Sequence, residues 1–215
     1  MRLKYAITVG DPKSAQIVAY QSRSTGDSHL SREDIVTSLG VTQHRARAGL
    51  ALIYAKYTKD TYAAATALRE LQLYATTIAK KYLPSNSGSG VYVAISNLAI
   101  LALDEYCRTA DTPGAKCRCG GKGEIRDMKA SRMKGVPVQK QCPRCHGTGL
   151  KPLTRTRCHH AILLVHPISQ ATFSRYWNPF YDDLLAWCDR QESIAEASYN
   201  GYANLNPYVM ETDSQ

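Results

Sequence analysis

Four of the seven cysteines in this chain fall into two close pairs. Cys117-Arg118-Cys119 runs into Gly120-Gly121-Lys122-Gly123; after 22 intervening residues, Cys142-Pro143-Arg144-Cys145 runs into His146-Gly147-Thr148-Gly149. Thiolates are soft ligands, and a structural zinc ion takes four of them at the corners of a tetrahedron. A tight turn carrying two cysteines supplies half of that set. The glycines that follow let the backbone fold back and turn amide N–H groups toward the sulfurs. The second pair has the C-x-x-C spacing of a zinc knuckle, whereas the first has one residue between its thiols and a tighter geometry. The pattern predicts a structural zinc site on Cys117, Cys119, Cys142 and Cys145. Cys119 is the weakest member, and Cys107, Cys158, His146 and His159 are the available substitutes. An all-cysteine site is closed, so it implies no zinc catalysis. The competing reading is free thiols or a disulfide. An odd cysteine count and no recognisable signal peptide argue against a secreted disulfide framework.

Charge gathers around the same segment. The net charge is +9. Thirteen of the 27 Lys and Arg residues, but only three of the 18 acids (Asp111, Glu124, Asp127), lie between Arg108 and Arg157. The rest of the chain is close to neutral. So local an excess points to phosphate, and hence to nucleic acid; the alternative is a solvated basic face without a polyanion partner. Lys129, Arg132 and Lys134 between the knuckles, and Lys151, Arg155 and Arg157 after them, are the candidate phosphate contacts. Catalytic signatures are missing: there is no nucleophile elbow, P-loop or HExxH. Asp182-Asp183 reads as a solvated pair, and His159-His160 as helix surface and core. The longest apolar run, Val91 to Leu103, is too short to span a membrane and is interrupted by Ser96 and Asn97. This points to a soluble cytoplasmic protein with no membrane partner.

The elements around the knuckles read as helices. Residues 1–29 are polar and predict a flexible arm, with 30–110 as a helical region. A helix opened by Ser31 ends at Gly40, and Thr42 caps a second through about Tyr57. This outlines a helix-turn-helix over Ile35–Ile53, with Gln43, His44, Arg45 and Arg47 as the residues it would aim at DNA. A helical hairpin of the core is the commoner arrangement and is preferred here. Thr61–Tyr82 has an apolar stripe of Ala67, Leu71, Tyr74, Ile78 and Tyr82 at helical spacing. Residues 84–90 form a Ser/Gly linker, and Val91–Cys107 is a largely apolar helix. Residues 111–152 form the zinc-binding insertion, with short strands at Glu124–Arg126 and Val136–Val138. Region 153–200 reads as a second helix-turn-helix, with a second helical hairpin as the alternative: Thr154 caps a helix to about Val165, His166-Pro167 stops it, and a long helix starts near Ser169. Pro179 must kink that helix or lie near a boundary. Its first turns hold Gln170, Thr172, Ser174 and Arg175, the side-chain types that read base edges from the start of a recognition helix. The tail over 201–215 is polar.

These residues carry a resemblance. Asp104-Glu105-Tyr106-Cys107-Arg108, Thr112-Pro113-Gly114-Ala115-Lys116-Cys117-Arg118, the CPRCHGTG knuckle, Thr172-Phe173-Ser174-Arg175 with Pro179 and Tyr181-Asp182, and Glu192-Ser193-Ile194-Ala195 together resemble the Q-type late-gene antitermination proteins of lambdoid bacteriophages. Met1-Arg2-Leu3 and Pro12-Lys13-Ser14 match that family's start. The resemblance spans nearly the whole chain and departs at the first knuckle, where the family carries C-x-x-C. It implies a non-enzymatic, mainly α protein: a helical bundle with a zinc-clipped two-stranded β insertion and a helix-turn-helix-like C-terminal element. It further implies binding to a double-stranded DNA element at the late promoter. Host RNA polymerase, paused with its sigma factor, would be engaged there and carried through terminators, with host elongation factors as further partners. A zinc protein acting only at initiation is the alternative. A zinc-knuckle chaperone fits poorly, since it would carry more than two repeats and no charge asymmetry.

Overall fold

The computed structural model describes residues 3–10, 32–83, 88, 90–151 and 153–209. It is mainly helical with one two-stranded sheet. In chain order the elements are α1 (Leu3–Gly10), α2 (Arg32–Arg45), α3 (Arg47–Tyr57), α4 (Thr61–Tyr82), α5 (Val91–Tyr106), β1 (Glu124–Arg126), α6 (Met128–Lys134), β2 (Gln139–Gln141), α7 (Thr156–Leu163) and α8 (Gln170–Thr172). A π-helical turn at Phe173–Trp177 follows, and then α9 (Asn178–Val209). Among the described residues no helix is long and apolar enough to cross a membrane.

Helix α9 is the axis of the body, and two apolar cores form along it. Its first half packs Phe180, Tyr181, Leu184, Trp187 and Cys188 against α4, α5 and α7. Its second half packs Ala195 and Tyr199 against α1, α2 and α3. Aromatic contacts tie the first core together: Tyr74 stacks on Trp187 at 5.4 Å, and Trp177 meets Phe180 edge-on at 6.3 Å. Where α3 crosses α9 the backbones nearly touch. A Cβ on Gly49 would lie 2.0 Å from the Gln191 carbonyl oxygen. Only glycine permits that approach.

Several expectations are corrected. The predicted arm is helical over 3–10, with Leu3, Ala6 and Ile7 fully buried in the second core. Residues 11–31, including Ser31, lie outside the described residues, as does most of the 84–90 linker. Helix α2 does not stop at Gly40. Thr42 is buried within it and, instead of capping, donates its hydroxyl to the Ser38 carbonyl at 2.7 Å; Ser38 does the same to Asp34 at 2.6 Å. Such bonds to the preceding turn satisfy a buried hydroxyl without ending the helix. The break comes at Ala46, a single residue with φ −138°. α2 packs mainly on α9 and α1, and α3 on α4 and α9, in keeping with the helical-core reading.

The second strand lies three residues later than predicted. Asp127 caps the unforeseen helix α6, its Oδ1 accepting from the Lys129 and Ala130 amides at 3.1 Å, and Gly135 closes it in a left-handed conformation. The Ala130 amide first, and then Lys140, hold the Asp127 carboxyl below the usual carboxylate range. Val138 is spent anchoring this helix, through its amide to the Ser131 hydroxyl and its carbonyl to the Asp127 amide. Pairing therefore starts at Gln139, with Glu124 opposite Gln141 and Arg126 opposite Gln139.

Pro179 lies near a boundary as foreseen, and the device there is the π turn. The Asn178 amide bonds the Phe173 carbonyl, and Pro179 then falls in the first turn of α9, where its missing N–H removes little. α9 also runs on to Val209, through most of the expected tail. The Asp182-Asp183 pair is not simply solvated. Asp183 accepts from the Tyr74 and Tyr82 hydroxyls at 3.1 and 2.8 Å and from Arg190 at 3.0 Å. Burial raises its pKa; those three partners outweigh it and lower the net value.

Candidate functional site

The four cysteines of the two pairs converge. Their sulfurs all lie within 4.8 Å of one another, with Cys117 to Cys142 at 4.0 Å and Cys119 to Cys145 at 3.8 Å. Zn–S bonds of ~2.3 Å in a tetrahedron put sulfurs ~3.8 Å apart. The donor set therefore fits a four-thiolate metal ion. Three of the four cysteines are buried and Cys119 is half-buried. None of the substitutes joins the cluster. Cys107 ends α5, Cys158 and His159 are buried on α7, and His146 is exposed in the knuckle turn.

The short first pair is absorbed by a tighter turn. The Gly120 amide reaches back three residues to the Cys117 carbonyl at 3.0 Å; in the second pair His146 reaches back four, to Cys142 at 2.9 Å. From there the two knuckles are matched. The Cys117 amide donates to the Gly149 carbonyl at 2.9 Å and the Cys142 amide to the Gly123 carbonyl at 2.8 Å. Gly123 (φ 78°) packs against the Gly147 carbonyl, where a Cβ would come to 2.2 Å; Gly149 (φ 73°) packs against the Gly121 carbonyl at the same 2.2 Å. The repeated C-x-G-x-G string is the signal of this approximate twofold relation.

Backbone dipoles tune the thiols unevenly. Burial works against ionising Cys119, but the Gly123 amide, the neighbouring thiols and the Gly121 amide bring it down to about 7. The Cys145 and Arg144 amides lower Cys142, while burial pushes Cys145 up to about 11. Amides aimed at sulfur are what a thiolate-bound cation requires around it.

The basic side chains divide into free and engaged. Lys129, Arg132 and Lys134 are exposed on α6, and Lys151 is exposed where the chain leaves the module. Arg157 makes an open 3.7 Å ion pair with Asp104. Arg155 is engaged in the body: it bonds Asp182, approaches Glu105 at 3.5 Å and covers the Tyr181 ring at 4.6 Å, while Tyr181 donates to the same Glu105 at 2.8 Å. It thereby locks the start of α7 to α5 and α9. A double-mutant cycle of Arg155→Ala with Glu105→Gln is expected to show a coupling of about 1 kcal/mol in thermal or denaturant unfolding. Zero coupling would release Arg155 for phosphate.

At the start of the last helical rod, Ser169 caps through its hydroxyl to the Thr172 amide at 3.1 Å. Gln170, Ser174 and Arg175 are exposed, while Thr172 is half-buried with its hydroxyl 2.9 Å from that of Ser169. His159 is structural: its Nε2 lies 3.2 Å from the Ile168 carbonyl oxygen, and its ring is 5.1 Å from Phe173, bracing the turn between α7 and α8. The sequence reading missed the bracing roles of His159, Arg155 and Ser131, because each depends on a partner fixed only by the fold.

Comparison with known proteins covers the body as well as the module. A family profile described as antitermination protein Q matches residues 111–196, the segment from the first knuckle into α9. The antitermination protein Q of Escherichia phage HK022 is 31% identical over 207 residues, covering 94% of this chain and 100% of that protein. That of Escherichia phage lambda is 31% identical over 204 residues, covering 93% and 98%. That of Salmonella phage P22 is 32% identical over 204 residues with the same coverage. With similarity running across helical body, cysteine module and terminal rod alike, this chain belongs to the antitermination protein Q family.

Proposed function

We propose that the protein is a bacteriophage transcription antiterminator. In this reading it binds a duplex DNA element at a late promoter, engages sigma-paused host RNA polymerase, and carries it through downstream terminators in the host cytoplasm. It acts by binding and not by catalysis. The carrying observation is that four converging cysteines sit at the base of a small module that exposes Lys129, Arg132 and Lys134 and leads into α7, which the turn before α8 follows. Bound zinc would supply structural closure on Cys117, Cys119, Cys142 and Cys145, with no open position for substrate. The exposed cations, Lys151 and the loosely paired Arg157 included, would take phosphate and set orientation. Gln170, Ser174 and Arg175 would reach base edges in the major groove, with Thr172 fixing the cap beside them.

Adding the protein to polymerase complexes already paused downstream of a promoter tests the function. Terminator read-through should rise with protein and depend on an intact DNA element. An effect seen only when protein is present before initiation would favour an initiation factor instead. Arg175→Ala is expected to cost about 1–3 kcal/mol, concentrated at one position of the element, whereas Lys129→Ala should weaken all sequences and flatten the salt slope by about one. Unchanged affinity of the Arg175 variant across element variants would remove this helix from base reading.

A further inference from the structure

Three of the residues that a first helix-turn-helix would aim at DNA line a cleft instead. Gln43, His44 and Arg47, at the elbow between α2 and α3, form one wall of a cleft of about 670 Å³. Tyr62 and Thr66, on the first two turns of α4, form the other. Buried Leu50, Ala51 and Ala63 supply apolar lining to the same cleft. None of these residues belongs to the cysteine module or to the α7–α9 rod.

The chemistry of the walls is specific. Tyr62 is 78% exposed, a large ring left in water at the rim. The one acid among the described residues lining the cleft, Asp60, is spent on capping α4, its Oδ1 accepting from the Tyr62 and Ala63 amides at 2.8 and 3.2 Å. Arg47 is exposed, as is Arg69 one turn beyond Thr66 on the same face of α4, and neither forms an ion pair among the described residues. A ring face, an amide and an imidazole for base edges, and two free guanidiniums for the backbone make up the set that holds an unpaired nucleotide. A duplex cannot use it, because its bases are stacked and do not enter a cleft.

We infer that the α2–α3–α4 cleft binds single-stranded nucleic acid, stacking an unpaired base on Tyr62 and holding the flanking phosphates with Arg47 and Arg69. This function is separate from duplex reading and does not depend on it.

The test is fluorescence anisotropy of the full-length protein with labelled 12-nucleotide mixed-sequence strands, one RNA and one DNA, each alone and annealed to its complement. Tyr62→Ala should weaken single-strand binding about tenfold, and Tyr62→Phe should retain it. Arg47→Ala should weaken binding and reduce its salt slope by about 0.7. Binding to annealed duplexes, and the melting temperature, should be unchanged in Tyr62→Ala, since that ring is exposed. The relative affinities of the RNA and DNA arms identify which strand the cleft prefers. Equal single-strand affinity for Tyr62→Ala and wild type would overturn the inference. So would loss of strand binding only in a Lys129/Arg132/Lys134 triple alanine variant, which would put the strand on the cysteine module. A failure of duplex binding would bear on the proposed function and leave this result standing.

Discussion

Cys142→Ser is expected to yield a protein that carries no stoichiometric zinc and loses the duplex binding proposed above, with the helical body still folded. The reason lies in how little else holds the module. Its buried apolar content consists of the cysteines themselves with Ile125 against them. Its two strands are three residues each. Structural zinc contributes on the order of 10–16 kcal/mol to folding of comparable small modules, and a three-thiolate remnant forfeits most of it. The body has its own two cores and does not draw on the clip. The substitution leaves every lysine and arginine in place, so lost DNA binding would report lost geometry and not lost charge. Metal analysis, helical circular dichroism on heating and protease sensitivity within 117–149 check the result. Cys107→Ser and Cys158→Ser should keep full metal content. Full zinc occupancy in the Cys142 variant would overturn the assignment.

Gly49→Ala is expected to be the most damaging single-methyl change in the body. The added Cβ would meet the Gln191 carbonyl oxygen at 2.0 Å and the Ala195 methyl at 2.8 Å, so α3 and α9 must separate. Backbone cannot rotate away as a side chain can. Overpacking of this kind costs about 1–3 kcal/mol, and here the upper end applies. For a chain of this size that is a fall in melting temperature of about 5–10 °C. Gly40→Ala is the matched control. It is exposed, lies within α2, and nothing stands within 4 Å of its Cβ position. The same methyl there should raise stability by up to about 1 kcal/mol through helix propensity. Thermal unfolding of the two variants side by side should show opposite signs.

What could be read from the residues follows from how local the determinants are. Helix α4 is legible end to end, because its stripe of Ala67 and Leu71 repeats at helical spacing, and the range read from it, Thr61–Tyr82, is the one observed. The metal cluster is legible because two cysteine turns can be recognised without knowing the fold, and the geometry then selects Cys119 over its substitutes. Helix α1 was hidden because its short apolar set gains from burial only once α2 and α9 enclose it. Helix α6 was hidden because its cap and anchor, Asp127 and Ser131, look like loop residues until Val138 returns beside them. Gly40 and Thr42 misled for the opposite reason. Both favour helix ends when exposed to local forces alone, and tertiary packing on α9 carried α2 through them.

The wide turn before Pro179 acts as a phase shifter. One extra residue in a helical turn rotates everything upstream by about 100° relative to everything downstream. Downstream, the buried face is set by Phe180, Tyr181 and Leu184; upstream, Phe173 must point into the same core while Gln170 and Ser174 stay outside. A regular α-helix from Gln170 onward would keep Phe173, Trp177, Phe180 and Leu184 on one face but would turn Gln170 onto that same face. Deleting a single residue between Phe173 and Trp177 would therefore leave a continuous helix whose outward face is turned by more than a quarter of a circle, with the same side chains aimed elsewhere.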